Sequence, residues 1–302
     1  MRLLLGYLIL LSVLGSGAAW AGCRAVFDEA PRIPDDFSHL LERAKQGIPE
    51  AEFRVGLAYE SGAGTAQDYA EAVRWYRSAA DAGIPAAQNN LGSMYGRGLG
   101  VPQNDAEALK WYLRAASEGH PAAQNNVGAM YGAGHGVPRD EARAVFWYLK
   151  AADQGYSPAE TNLGIMYQAG RGVETDLKQA MKWYLKAAHK NYAPAEYSVG
   201  AMTFLGQGTA QNKDEGVNWI RRSAEHGFAR AENQLGLLYE RGETVKQDFV
   251  AAADWYRKAA EHGLLEAKTS LDRLESLAAT RLHSKETAVA SSASGAAVVP
   301  QR

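Results

Sequence analysis

The spacing of tryptophan constrains the fold of this chain more than any other feature. After residue 21, each tryptophan lies 36 residues beyond the one before: Trp75, Trp111, Trp147, Trp183, Trp219 and Trp255. Columns of alanine, glycine and tyrosine keep the same register, as at Ala87, Gly92 and Tyr95 of the second copy. A fixed period of this length is typical of stacked helical or strand-and-helix repeats. The sequence therefore predicts a repeat protein with six copies.

Each copy is predicted to contain two antiparallel helices. In the second copy Ala87, Leu91, Met94 and Tyr95 fall at i, i+4, i+7 and i+8, which is one face of a helix. Proline opens this first helix in several copies, where its missing N–H costs no hydrogen bond. The second helix is expected to begin after an aspartate or asparagine, because these side chains accept hydrogen bonds from free backbone N–H groups. The candidate N-caps are Asp68, Asn104, Asp140, Asp176, Asn212 and Asp248.

Glycine marks both turns of the copy. A Gly-x-Gly motif separates the two helices in five copies, starting at Gly62, Gly98, Gly134, Gly170 and Gly206. A second column suits the left-handed C-cap of the second helix. It holds Gly47, Gly83, Gly119, Gly155, Gly227 and Gly263, with Asn191 in the remaining copy. The glycine inside the first helix, such as Gly92, is expected to face Ala108 and Ala116 and let the two helices approach closely. The pair Trp111-Tyr112 would then fill the space between repeats.

Taken together, these columns resemble the Sel1-like repeat, a relative of the tetratricopeptide repeat. The second copy carries the pattern most completely: Ala87-Leu91-Gly92-Tyr95, Gly98-Gly100-Val101, Asn104, Ala108, Trp111-Tyr112, Ala115-Ala116 and Gly119. The resemblance covers residues 47–262 and is weakest in the fifth copy, at Asn191, Thr203, Gly216 and Ile220. It implies an all-α fold, a right-handed α-solenoid of six 36-residue helix-pair repeats with capping helices.

Shorter segments flank the repeats. Residues 22–46 are predicted to be an N-terminal segment that ends in a capping helix, and residues 263–281 a C-terminal capping helix. Alanine, serine and valine dominate residues 282–302, so we expect a disordered tail there.

The first residues are typical of an export signal. A basic start, an apolar run and the Ala19-Trp20-Ala21 pattern predict that residues 1–21 are a signal peptide, removed after Ala21. Cys23 is the single cysteine, so no disulfide can form within the chain. Residues 20–23 also resemble a bacterial lipobox, in which Cys23 would be lipidated. We therefore expect an exported protein, periplasmic or secreted, with an outer-membrane lipoprotein as the alternative.

Charge and motif content argue against several classes of function. The chain has 32 basic and 34 acidic residues and no basic run, which excludes nucleic acid as the expected partner and leaves a membrane partner only if Cys23 is lipidated. The Gly-x-Gly motifs lack the preceding strand and the lysine of a phosphate-binding loop. His226 and His262 lie one repeat apart, too far for one zinc ion. No nucleophile motif is present, so we expect no enzyme activity, no cofactor and no metal site.

One column of the second helix is basic: Arg114, Lys150, Lys186, Arg222 and Lys258. It is interpreted as a solvated row near the carboxyl ends of the helices, where positive charge is favourable. Attraction of an acidic partner is the alternative.

Amide side chains form the candidate binding site. They directly precede the Leu-Gly or Val-Gly pair of the first helix, or lie beside it: Asn89, Asn90, Asn125, Asn126, Asn162 and Gln234. In tetratricopeptide proteins the matching positions contact bound peptide, and an amide offers both donors and acceptors to an extended backbone. The alternative is a polar ladder between helices.

The resemblance implies a non-catalytic scaffold of the bacterial envelope. Such a protein would bind a protein or peptide on the concave face of the first helices and regulate signalling or complex assembly. A first alternative is an envelope enzyme or β-lactam-binding protein, as described for cysteine-rich Sel1-like proteins, although this chain lacks their paired cysteines. A second alternative is a lipoprotein accessory of a secretion or polysaccharide-export machine.

Overall fold

The computed structural model describes residues 37–277 and Thr280. Within these residues every regular element is a helix, and none of them is long and apolar enough to cross a membrane. The expected signal peptide (residues 1–21), Cys23 and the expected tail (residues 282–302) lie outside the described residues. The fold class is the predicted one, an all-α solenoid of helix pairs.

Each repeat contributes two helices. Helix α1, Phe37–Lys45, precedes the repeats, and a last helix, α14, covers residues 265–277. These two helices lie where the sequence predicts caps. The first helices of the repeats are α2 (Pro49–Ser61), α4 (Pro85–Arg97), α6 (Pro121–Ala133), α8 (Ser157–Ala169), α10 (Ala193–Leu205) and α12 (Ala229–Arg241). The second helices are α3 (Tyr69–Asp81), α5 (Asp105–Ser117), α7 (Glu141–Ala152), α9 (Leu177–Ala188), α11 (Lys213–Glu225) and α13 (Phe249–Glu261).

The predicted helix ends are confirmed. Every candidate N-cap accepts a backbone hydrogen bond; Asp68, for example, accepts from the N–H groups of Ala70 and Glu71 at 2.9 and 3.1 Å. The C-cap column has positive φ throughout, including Asn191 at 61°. In the sixth repeat Thr244 takes φ 70° where other copies have the second glycine of the turn, a strained position for a β-branched residue.

The described chain divides into two compact units, residues 37–190 and residues 191–277. In the first unit, the tryptophan of one repeat packs against the preceding repeat. Trp111 joins a cluster with Val73, Tyr76 and Ala80 of α3. This contact confirms that the tryptophan fills the space between repeats.

In every repeat except the fifth, the glycine inside the first helix packs against a tyrosine ring. A Cβ added to Gly92 would lie 2.9 Å from Cδ1 of Tyr112 and 3.1 Å from the carbonyl oxygen of Ala108. The sequence interpretation placed Tyr112 between repeats, but its ring lies against Gly92 of the same repeat. Glycine at this position therefore leaves room both for the tyrosine ring and for the close approach of the second helix at Ala108.

In the fifth repeat, which belongs to the second compact unit, the two helices pack against each other differently. Ile220 replaces the tyrosine and Gly216 replaces the alanine one turn earlier. A Cβ on Gly200 would lie 2.8 Å from the carbonyl oxygen of Gly216, and a Cβ on Gly216 would lie 2.8 Å from the carbonyl oxygen of Gly200. Helices α10 and α11 thus meet backbone to backbone, so the departures from the repeat pattern belong to one alternative packing arrangement.

Candidate functional site

The asparagines of repeats two to four form a ladder along α4, α6 and α8. The Nδ2 group of Asn126 donates to Oδ1 of Asn89 at 3.0 Å, and that of Asn162 donates to Oδ1 of Asn125 at 2.8 Å. Each bond joins one first helix to the next. The ladder that sequence analysis named as the alternative is therefore present.

The first rung continues into the preceding repeat. The Nδ2 group of Asn90 donates to the hydroxyl of Tyr76 at 3.3 Å, and that hydroxyl donates to Oε2 of Glu60 at 2.5 Å. Burial, followed by the nearby Glu60 carboxylate, raises the pKa of Tyr76 well above its usual value. Tyr76 therefore stays protonated and remains a donor to Glu60.

Exposure divides the six candidate amides into two groups. Asn89, Asn125 and Gln234 are buried. Asn90, Asn126 and Asn162 are half-buried, so a partner on this face would reach them first. Hydrogen bonding is the chemistry that these groups offer, since amides do not titrate. Binding of a partner by any of the six stays a prediction.

A second polar column, which sequence analysis missed, lies in the first helices. Its members are buried: Glu52, Gln88, Gln124, Glu160, Glu196 and Glu232. Five of them contact the residue 30 positions later, at the end of the second helix of the same repeat. The five pairs are Gln88 with Glu118, Gln124 with Gln154, Glu160 with Lys190, Glu196 with His226, and Glu232 with His262.

The paired residues complement each other in each repeat. Glu160 receives Nζ of Lys190 at 2.8 Å, whereas Gln124 accepts from the amide of Gln154 at 2.8 Å. In the first repeat the partner comes from one turn earlier, where the Ser78 hydroxyl donates to Glu52 at 2.7 Å. A buried carboxylate without a partner would be strongly destabilising, so the second residue of each pair has to match the first.

The structure gives the two stacked histidines, His226 and His262, a role in packing within their repeats. Nδ1 of His226 lies 2.7 Å from Glu196, and Nδ1 of His262 lies 2.8 Å from Glu232. Glu196 also receives Nε of Arg222 at 2.7 Å. Both histidines therefore complete buried polar pairs, in addition to lying near the carboxyl ends of helices. Among the described residues, no group of three or more His, Cys, Asp or Glu side chains could hold a metal ion.

The remaining loop histidines have structural partners. Nδ1 of His120 accepts from the backbone N–H of Ala123 at 3.2 Å and caps α6, and burial lowers the pKa of His120. His135 lies 3.4 Å from Oδ2 of Asp105.

The basic column of the second helices lies over the tryptophans. The cation-to-ring distance is 5.5 Å for Arg114 over Trp111, 5.0 Å for Lys150 over Trp147 and 3.9 Å for Lys186 over Trp183. Arg222 and Lys258 repeat this arrangement over Trp219 and Trp255. Cation–π contact therefore adds to the helix-end effect as a reason for this column.

Each of the six predicted copies is matched by one known family model. The Sel1 repeat model matches residues 49–84, 85–120, 121–156, 157–192, 193–228 and 229–264. These six segments are contiguous and begin where the first helices begin.

Solved structures with the same architecture are known from several bacteria. A Sel1 repeat protein from Oxalobacter formigenes is 38% identical, with a TM-score of 0.64 over 77% of this chain and 68% of that one. The protective antigen c5321 of uropathogenic Escherichia coli, which displays an SLR fold, is 38% identical with a TM-score of 0.63 over 78% of this chain. The chain spans 50% of the length of that antigen. The immunity protein Pa5087 of Pseudomonas aeruginosa, at 22% identity and a TM-score of 0.51, shows a similar fold.

A curated relative matches a much shorter stretch. An uncharacterized protein of Neisseria meningitidis is 51% identical over 51 residues, which are 16% of this chain and 11% of that protein.

Proposed function

Because this chain belongs to the Sel1 repeat family, we propose that it is a non-catalytic scaffold of the bacterial envelope that binds a protein or peptide along α4, α6 and α8. Sel1 repeat proteins generally serve as protein-interaction scaffolds. In a solenoid, equivalent side chains recur along one surface, and such extended surfaces are what repeat proteins use for binding. The ordered amide ladder on these helices is the observation that carries the proposal.

The ladder suits an extended ligand because it presents repeated hydrogen-bonding groups. The bond from Asn162 to Asn125 uses one of the two N–H groups of the Asn162 amide. Small residues such as Ala122 and Ala129 lie on the same helix as Asn126 and are half-buried. A partner backbone could therefore approach the amides without displacing large side chains.

The chemistry of the described residues supports a binding role over a catalytic one. Many polar groups of the described repeats are engaged in helix caps, the amide ladder and complementary buried pairs. The two stacked histidines hold buried carboxylates, which leaves them in structural roles.

Export is the second component of the proposal. It rests on the signal peptide expected at residues 1–21. Mass spectrometry of the mature protein should find Gly22 at the amino terminus, whereas a diacylglyceryl adduct on Cys23 would establish the lipoprotein alternative.

Site-specific photo-crosslinking tests the binding surface. A photoreactive residue at Ala129, three residues after Asn126 on α6, should yield a discrete crosslinked protein in living cells. The same residue at Asn218, an exposed position on α11, serves as the control and should yield none. Equal crosslinking at both positions, or none at Ala129, would contradict binding on the first helices.

A further inference from the structure

A second surface of the first compact unit lies on the second helices α5, α7 and α9. In each of these helices, the positions one before and three after the tryptophan face outward. They hold Lys110, Arg114, Phe146, Lys150, Lys182 and Lys186, which we call the cationic ridge. All six side chains are exposed.

The positive charge of the cationic ridge is poorly neutralised. Lys110 and Arg114 have acidic neighbours, Glu107 at 3.2 Å and Asp81 at 3.8 Å, but both pairs are solvent-exposed and such pairs contribute little. For Lys150, Lys182 and Lys186, no ion pair exists within the described part of the chain. The chain as a whole has a net charge of −2, so the ridge is a local excess of positive charge.

Phe146, on the middle helix α7, adds an exposed aromatic ring to the cationic ridge. The residue is 51% exposed, and its ring lies 4.8 Å from Nζ of Lys150 and 5.4 Å edge-on from Trp147. A single exposed apolar side chain has little meaning by itself. Aromatic residues, however, are enriched in the buried cores of protein interfaces.

The position before the tryptophan distinguishes the three repeats of the ridge from the other repeats. In the column of Phe146, the other repeats have Arg74, Asn218 and Asp254, and Arg74 is paired with Glu71. In the column of Lys150, the other repeats have Ser78, Arg222 and Lys258, and Arg222 is paired with Glu196. The column of Lys150 is thus basic beyond the ridge, but the column of Phe146 changes in charge from repeat to repeat, so packing between repeats does not fix the residues there.

We propose that the cationic ridge is a docking site for an acidic segment of a partner protein that places an aromatic or aliphatic side chain on Phe146. Charge complementarity selects an acidic partner and would speed its encounter with the ridge. Each helix is at least about 10 Å wide, so a segment that reaches all three helices spans about 20 Å. Six or more residues in extended conformation cover that distance.

A protein segment fits the ridge better than a membrane surface. Direct binding of a protein surface to a membrane interface grows with the apolar area that it buries as well as with its basic groups. The ridge offers one exposed aromatic residue, which suits one side chain of a peptide. This site goes beyond the proposed function, because it lies on the second helices and is independent of the amide ladder.

The experiment measures binding of a fluorescent nonapeptide of alternating glutamate and aspartate with a central tryptophan. The mature full-length protein should bind it, and the affinity should fall as salt is raised, because exposed charges are screened. Lys186→Glu should weaken binding at least tenfold. Lys258→Glu is the matched control: it reverses the same charge in the same column and loses the same kind of contact with a tryptophan, but it lies outside the ridge. Its affinity should stay within twofold of the parent.

Phe146→Ala tests the anchor separately from the charge. This exposed side chain should be removable without loss of helix content by circular dichroism, and the affinity for the peptide should fall severalfold. With glycine in place of the peptide's tryptophan, Phe146→Ala should have no further effect. Equal loss in both charge-reversal variants, no binding of the peptide at all, or binding only to phosphatidylglycerol vesicles would overturn the proposal.

Discussion

Gly128 on α6 lies directly against the ring of Tyr148 on α7: a Cβ added to this glycine would be 2.8 Å from both Cδ1 and Cε1 of the ring. The carbonyl oxygen of Ala144 would lie 3.1 Å from the same Cβ. Four residues later on α6, a Cβ on Gly132 would meet its nearest neighbour, Cβ of Ala144, at an ordinary 3.5 Å. The two glycines of one helix thus differ in what they tolerate.

Alanine should destabilise the protein at Gly128 and not at Gly132. Gly128→Ala forces a ring to move against backbone, at a cost of about 1–3 kcal/mol. Gly132→Ala should raise the free energy of unfolding by up to about 1 kcal/mol, because alanine favours the helix. Urea denaturation of the two variants checks this difference. A stabilising Gly128→Ala variant would show that the Tyr148 ring is not fixed in place.

Gly216→Ala should destabilise the fifth repeat, although alanine occupies this column in the other repeats. A Cβ on Gly216 would lie 2.7 Å from the backbone nitrogen of Phe204 and 2.8 Å from the carbonyl oxygen of Gly200, neither of which can rotate away. We expect a loss of about 1–3 kcal/mol, measured by the urea midpoint. An increase in stability would mean that α10 and α11 can separate at little cost.

Lys190→Gln should be harmful by itself and tolerated together with Glu160→Gln. The single variant leaves the buried Glu160 carboxylate without its cation, at a cost of roughly 1–3 kcal/mol, because Lys190 itself is partly exposed. The double variant recreates the amide pair that Gln124 and Gln154 form one repeat earlier. Lys45→Gln, whose pair with Glu42 is exposed, is the control and should change stability by less than about 1 kcal/mol. Failure of Glu160→Gln to restore stability would argue against the complementary pair.

The amide ladder should appear as an energetic coupling between Asn89 and Asn126. Asn126→Ala leaves the buried Oδ1 of Asn89 without this donor, so it should cost about 1–3 kcal/mol rather than leave stability unchanged. A double-mutant cycle with Asn89→Ala should give a coupling of roughly 0.5–1.5 kcal/mol. Strictly additive effects would mean that the ladder bond contributes nothing.

His120 should make the protein less stable as the pH falls. Its pKa is lowered by burial, so between that value and the unfolded pKa of about 6.5 the unfolded chain binds more protons than the folded one. The free energy of unfolding therefore falls as the pH drops below about 6.5, and protonation at Nδ1 would also break the cap bond to Ala123. His120→Asn, which keeps an N-cap acceptor, should lose less stability from pH 7 to pH 5 in urea titrations. Parallel pH profiles would exclude this contribution.

Features that depend on local backbone geometry could be predicted from the sequence. Asp68 and the other caps precede helices by fixed offsets, and Asn191 could be recognised as a left-handed residue because it stands in a glycine column. These interactions join residues close in sequence, so the chemistry of one position is enough to identify them. The helix pairs and their boundaries follow from the same local rules.

Contacts between side chains distant in sequence were not predictable from single columns. The pairing of Glu160 with Lys190 cannot be recognised from either column alone, because both columns vary in residue type. Only the joint variation of the two columns, which lie 30 residues apart, indicates the pairing. A buried glutamate such as Glu196 also has the same periodicity as a surface residue of an amphipathic helix. For the candidate site, the amides could be named from the sequence, but not which of them are buried.

The complementary pairs have a consequence for how such a chain can evolve. Both members of each pair lie inside one 36-residue segment, so copying or deleting a segment in that phase carries a buried acid and its neutralising base together. A duplication would then leave no buried charge without its partner, and the surface residues of the new copy could change without first restoring its packing. The 36-residue segment is in this sense a unit of inheritance as well as of structure, which gives the lineage a way to change its length without a destabilising intermediate.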